Sequence, residues 1–170
     1  MALTMHSASV PVLARMLRNM NSWLDKAVAH AEAKKFDPAV YLTARLAPDM
    51  LPFTRQIQIA SDNAKGCVAR LAGVEIPKFE DNETTLEQLR ERIAKTLAFI
   101  ESVPVSAFEG AETREVQVPR RDKEPLRFSG EDYLRFFALP NFFFHATTTY
   151  ALLRHWGVDL GKPDYLRGGV

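Results

Sequence analysis

The chain has 170 residues, 46% of them hydrophobic, and its 22 basic and 21 acidic residues leave a formal net charge of +1. That size and apolar content suit one compact domain, residues 1–170, with a sizeable core, and the near-cancelled charge lacks the basic footprint of nucleic-acid binders. The single cysteine, Cys67, excludes an intrachain disulfide and a CxxC metal cluster, as suits a reducing cytoplasm. No basic leader with a long apolar stretch opens the chain at Met1 and Ala2, and no apolar run nears the roughly 18 residues that span a bilayer.

The first helix is expected from about Ser9 to Lys35. Val10, Leu13, Leu17, Met20, Leu24 and Val28 recur at helical spacing, Ser7 or Ser9 can cap the start, Pro11 fits a first turn, and Phe36-Asp37-Pro38 ends it. A second helix is expected from near Pro48 to Ala72, stopped by Gly73, with Met50, Phe53, Ile57, Ala60, Ala64, Cys67, Val68 and Leu71 inward. Beside that face Asp49, Gln56 and Asn63 recur every seven residues.

The connection that follows is long enough to cross the end of a helical bundle. A third helix then runs from Thr84 or Thr85 to Ser102, with Glu87 placed three residues after Thr84 as in a capping box. Arg90, Glu91, Arg92 and Lys95 read as its solvated face. Arg114–Val118 alternates at period two and can pair with Leu126–Phe128 as a short β-hairpin or extended insertion. Ser129 or Gly130 opens the last helix, Gly157 closes it, and residues 158–170 read as irregular. Four amphipathic rods with one apolar stripe each have the four-helix bundle as their common solution, so the fold class is all-α.

Asn141 and His145 are the strongly polar residues of the aromatic-rich last helix before Arg154, and four residues apart they share one face. Two readings stand. They hold a divalent metal, imidazole being the commonest protein ligand, or they are a hydrogen-bonded buried His and an Asn that caps the backbone freed by Pro140. Asp49 and Gln56, on the second helix, can face them. Asp49 is then a ligand or general base, or merely a first-turn carboxylate favoured by the helix dipole, with Gln56 at the surface. Cys67, set among apolar residues, reads as an inert buried thiol.

Tyr133, Phe136, Phe137, Phe142, Phe143 and Phe144 cover more than one helix face. The surplus either packs against a second copy, the homodimer being preferred, or lines a pocket with Gln56, Tyr133 and Phe144. No Gly-rich phosphate loop, GxSxG elbow or HExxH motif is present.

The runs Leu46-Ala47-Pro48-Asp49-Met50, Ala64 through Gly73, Phe137-Ala138-Leu139-Pro140-Asn141-Phe142-Phe143-Phe144-His145 and Gly157 through Leu166 resemble a bacterial family of unknown function within the DinB/YfiT-like group. The resemblance implies a DinB-like four-helix bundle of up-down-down-up order, with the second-to-third connection as its crossover, commonly dimeric. In that group a divalent metal is held by one histidine on the second helix and an HxxxH pair on the fourth. His145 matches the second member of the pair, Asn141 stands at the first, and the second helix has no histidine. The implied alternatives are a bundle with a degenerate metal site and a ligand-binding or non-catalytic role, or a divalent-metal-dependent hydrolase or thiol transferase using Asp49, Asn141 and His145. The ligand expected is a small molecule, with neither nucleic acid nor membrane as partner.

Overall fold

The computed structural model describes residues 3–167; Met1, Ala2 and Gly168–Val170, on which the leader and tail expectations partly fall, lie outside the described residues. Helix α1 spans Met5–Lys34, α2 Phe53–Ala72 and α3 Leu86–Ser102. The strands β1 (Glu115–Arg120) and β2 (Lys123–Ser129) form an antiparallel hairpin. The last long helix, α4, covers 130–155 as a first turn Gly130–Asp132, a π-helical segment Tyr133–Ala138 and an α-helical stretch Leu139–His155. A short α5, Lys162–Arg167, follows. None of the described helices is long and apolar enough to cross a membrane.

The protein is mostly helical, with α2 packed on α4 and α3, and α1 packed on α3 and α4. Leu13, Leu17, Met20 and Leu24 of α1 meet Ile57, Ala64, Val68 and Leu71 of α2, Leu89 and Ile93 of α3, and Phe142 and Leu153 of α4 in one continuous core. These are the apolar stripes that the sequence spacing predicts, because a helix packs the face that water would otherwise solvate.

Several boundaries differ from expectation. α1 starts earlier because Thr4, not Ser7 or Ser9, is the N-cap, in a capping box with Ser7. Ser9 is buried instead, donating to the Met5 carbonyl at 2.6 Å. Pro11 therefore lies in the helix interior rather than its first turn, on the solvent side. α2 starts later because Pro52 is extended (φ −71°, ψ 166°) and restricts Leu51 before it. The α3 capping box is Thr85 with Gln88, one residue beyond the expected Thr84 and Glu87. Gly73 ends α2 in the left-handed conformation that glycine adopts without strain, as expected (φ 71°).

Two larger corrections concern the surface. Arg92 is not part of a solvated face: it is 2% exposed and fixes the crossover between α2 and α3. Its Nη1 donates to Glu83 at 2.8 Å and to the Glu80 carbonyl at 3.1 Å, and its Nη2 donates to Asp62 at 2.8 Å. Nη2 also lies 2.9 Å from Asp81. Nor is the tail irregular throughout. Pro163 fits the first turn of α5, Asp164 Oδ2 accepts from the Gly161 N–H at 2.7 Å, and the segment docks on α1.

The hairpin enters α4 through a tight contact. A Cβ at Gly130 would collide with the Ala111 carbonyl, and the Glu131 N–H donates to the Glu112 carbonyl at 3.0 Å. Ser129 then caps the first turn by accepting from the Asp132 N–H.

Candidate functional site

The polar residues of α2 and α4 meet along one seam. Gln56, Asn63 and Arg70 of α2 are seven residues apart, so each successive side chain is rotated by only about 20°. Across from them stand His145, Asn141 and Tyr133 of α4. The first rung joins His145 Nδ1 to Gln56 Oε1 at 2.7 Å, the second has Asn141 Nδ2 donating to Asn63 Oδ1 at 2.8 Å, and the third has Arg70 Nη1 donating to the Tyr133 hydroxyl at 3.2 Å.

Tyr133 reaches this seam because of the π-helical turn. In an unbroken α-helix, Tyr133 would sit about 120° around the axis from His145. The wider π turn, about 18° less rotation per residue, unwinds that difference over Tyr133–Ala138. Pro140, which has no N–H to donate, follows directly, and the Leu139 N–H reaches back to the Leu134 carbonyl, five residues away.

The tautomer of His145 follows from its partners. The Gln56 amide nitrogen is committed to the Leu51 carbonyl at 2.8 Å, so its oxygen faces the ring and Nδ1 carries the hydrogen. Nε2 keeps its lone pair and takes no hydrogen bond from any described residue. The ring is 8% exposed, with the Phe144 ring 5.1 Å away edge to face. Burial pulls the imidazole pKa below its ordinary 6.5.

The consequence for stability has a definite sign. With the folded value lowered, the unfolded chain binds the proton first. Stability is therefore fully present above about 6.5 and decreases as pH falls from there through the folded value. We expect the His145 ring signals in an NMR titration to report a midpoint below 6.5. A midpoint at or above it would mean that the imidazole is not held neutral by burial.

Gln56, Asn141, His145 and Tyr133 thus come together in rungs of one seam, whereas Asp49 does not join them. Because α2 begins at Phe53, Asp49 lies on the preceding loop and is exposed, not in a helical first turn. Phe144 flanks His145 but is 56% exposed, so it borders solvent rather than closing a pocket. Among the described residues no three His, Cys, Asp or Glu side chains converge as a metal-holding group. Asn63 and Arg70 are the seam residues that the sequence reading did not assign to the site. The signal was present in the seven-residue repeat, which continues past Gln56 and Asn63 to Arg70. Cys67, buried beside the seam, has its thiol pushed up to about 12 by burial, which suits an inert thiol.

The family model for DUF1993, a domain of unknown function, matches residues 5–166. The chain belongs to the DUF1993 family. This DUF1993 protein is also similar to a DinB family member protein from Shewanella denitrificans, known from a crystal structure. The two are 43% identical over 95% of this chain and 90% of that one, with a TM-score of 0.86. No curated protein matches the chain. The family match takes in all four runs, from Leu46–Met50 to Gly157–Leu166, on which the resemblance rests.

On α4 of this DUF1993 protein, Phe136 is 64% exposed and Phe144 56% exposed. A cavity of about 340 Å³ lies elsewhere, at the crossover, lined by Phe79, Glu83, Gln88 and Arg92 among others.

Proposed function

We propose that the chain is a single-domain DinB-like four-helix bundle of up-down-down-up order whose metal centre is degenerate, leaving a ligand-binding or non-catalytic role. The observation that carries this reading is the pairing of Gln56 with His145 and of Asn63 with Asn141. Side chains that stand where the resemblance implies ligands are engaged with each other. Carboxamide oxygens are weak donors to soft or borderline metals, and the one carboxylate of the expected set, Asp49, sits on an exposed loop. The exposed Phe136 and Phe144 support a homodimer, in which a second copy would cover them.

One observation favours the alternative, a divalent-metal-dependent hydrolase or thiol transferase using Asp49, Asn141 and His145. An imidazole whose Nδ1–H is held by an oxygen acceptor presents Nε2 to a metal, which is how ligating histidines are oriented. A metal bound there would activate water or polarise a substrate carbonyl.

Elemental analysis of the purified, tag-free protein beside His145→Ala separates the readings. We expect far less than one metal ion per chain in both. The variant should lose about 1–3 kcal/mol of stability, because the Gln56 oxygen is left without its donor. Near-stoichiometric metal that vanishes in the variant would sink the degenerate-centre reading.

A further inference from the structure

Arg70 and Arg92 are both packed against aromatic rings, yet their electrostatic surroundings are opposite. Arg92 lies 5.7 Å from the Phe79 ring and faces three carboxylates. Arg70, half-buried and 5.9 Å from the Tyr133 ring, forms no ion pair with any described Asp or Glu. Its one hydrogen bond among the described residues is to the neutral Tyr133 hydroxyl. The guanidinium is half-buried, and most of its five N–H donors have no partner among the described residues, so they are available to an anionic ligand.

The backbone beneath is shaped for the guanidinium. Gly66 lies within α2 with no need for a left-handed conformation, and glycine there costs about 1 kcal/mol relative to alanine. A Cβ at that position would stand 2.5 Å from Arg70 Nη1. The glycine therefore lets the arginine fold back over the helix toward Asn63, the direction in which helical side chains lean. Tyr133 accepts from Arg70, which leaves its own hydrogen free to donate. A phenol keeps that hydrogen at neutral pH, and burial, with a smaller contribution from Cys67, pushes this one further up, to about 12, against the opposing pull of Arg70. Asn63 has a second amide hydrogen beyond the one given to the Ile59 carbonyl. The π-helical turn that brings Tyr133 here is a local irregularity of the kind that recurs at binding sites.

We infer that Arg70, with the Tyr133 hydroxyl and Gly66 beneath it, is an oxyanion subsite that takes the carboxylate or phosphate group of a small-molecule ligand lying along the α2–α4 seam. This rests on the ligand-binding reading above. The guanidinium supplies charge and paired donors, the phenol supplies a third, and Asn63 is next in line for a polar substituent on the ligand.

The test is isothermal titration of the purified protein with acetate and, separately, with inorganic phosphate, at constant ionic strength set by chloride, beside Arg70→Met and Tyr133→Phe. Saturable binding of one of the two probes is expected, weakened roughly tenfold or more in Arg70→Met and less in Tyr133→Phe. The preferred probe identifies the ligand's acid group. Should Arg70→Met fail to fold, the Gly66 and Tyr133 amide resonances of the unaltered protein are followed instead, and they should shift with the same saturation.

Equal binding by the Arg70 variant, or no saturable binding of either probe and no shift at Gly66, overturns the subsite. That failure is distinct from failure of the degenerate-centre reading, which is judged by metal content at His145. Anion binding at Arg70 in a protein that also retains stoichiometric metal would overturn that reading and leave the subsite standing.

Discussion

Replacing Arg92 with alanine is expected to destabilise the protein by about 3–5 kcal/mol, seen as a lower urea midpoint at unchanged slope. The guanidinium joins parts of the chain remote in sequence: Asp62 on α2, Asp81 and Glu83 on the crossover, and Arg92 itself on α3. Burial alone disfavours its charge, but Glu83, Asp62 and Asp81 outweigh that and raise its pKa. Removing the cation strands the carboxylates unequally. The Asp62 and Asp81 side chains are 44% and 37% exposed and face water, whereas the Glu83 side chain is 8% exposed and is left with the hydrogen bond from Gln58 at 2.7 Å.

Most of the cost should therefore arise at Glu83, and adding Glu83→Gln to Arg92→Ala should recover part of it. A double variant that is the additive sum of the singles would show that the two residues do not act as a pair. The same network sets an acid limit. Burial alone would raise Asp81 and Glu83, but Arg55 and Arg92 beside Asp81, and Arg92 and Gln58 bonded to Glu83, hold them below their ordinary 3.8 and 4.5. The stability they contribute is present above those values and is lost as pH falls through the folded ones.

Arg92 also shows what a one-dimensional pattern can and cannot convey. Helical spacing located the apolar stripes of α1, α2, α3 and α4, because the position of a stripe is set by the spacing of residues within one helix. Whether a charged residue at the stripe's margin is solvated depends on what else passes over it. Here that is the crossover, whose Asp81 and Glu83 lie nine or more residues away from Arg92. The seam was partly legible for a similar reason. Gln56 and Asn63 announced themselves by their period, and Asn141 and His145 by their spacing. Asp49 fitted the same period but lies on the wrong side of Pro52, where the helix has not begun. Tyr133 is legible as an aromatic that can line a pocket with Gln56, but not as a residue of the Asn141 face, since the π-helical turn changes the angular step that a helical wheel assumes.

The tail carries the other large expected effect. Trp23→Ala should cost about 3–5 kcal/mol and release the segment after Gly157 to proteases. Trp23 is fully buried, at 0% exposure, and α5 is built around it. Its indole Nε1 donates to the Asp164 carbonyl at 3.2 Å, its ring is stacked on Tyr165 at 5.6 Å, and Tyr150 meets it edge on at 5.6 Å. Around that centre Asn19 donates to the Tyr165 carbonyl at 2.7 Å, Thr147 bonds the Tyr165 hydroxyl at 2.8 Å, and Lys26 pairs with Asp164 at 2.7 Å. These contacts join the segment to both α1 and α4.

A helix of six residues has no stability of its own in water, so its order derives from this docking. Trp23→Phe keeps an aromatic face while losing the indole donor, and should cost far less. In a Trp156→Phe background, where Trp23 is the sole indole, truncation after Gly157 should move its emission to longer wavelength as water reaches the ring. If Trp23→Ala destabilised the protein while cleavage after Gly157 stayed as slow as before, the segment would be held by the surrounding polar contacts and not by the tryptophan.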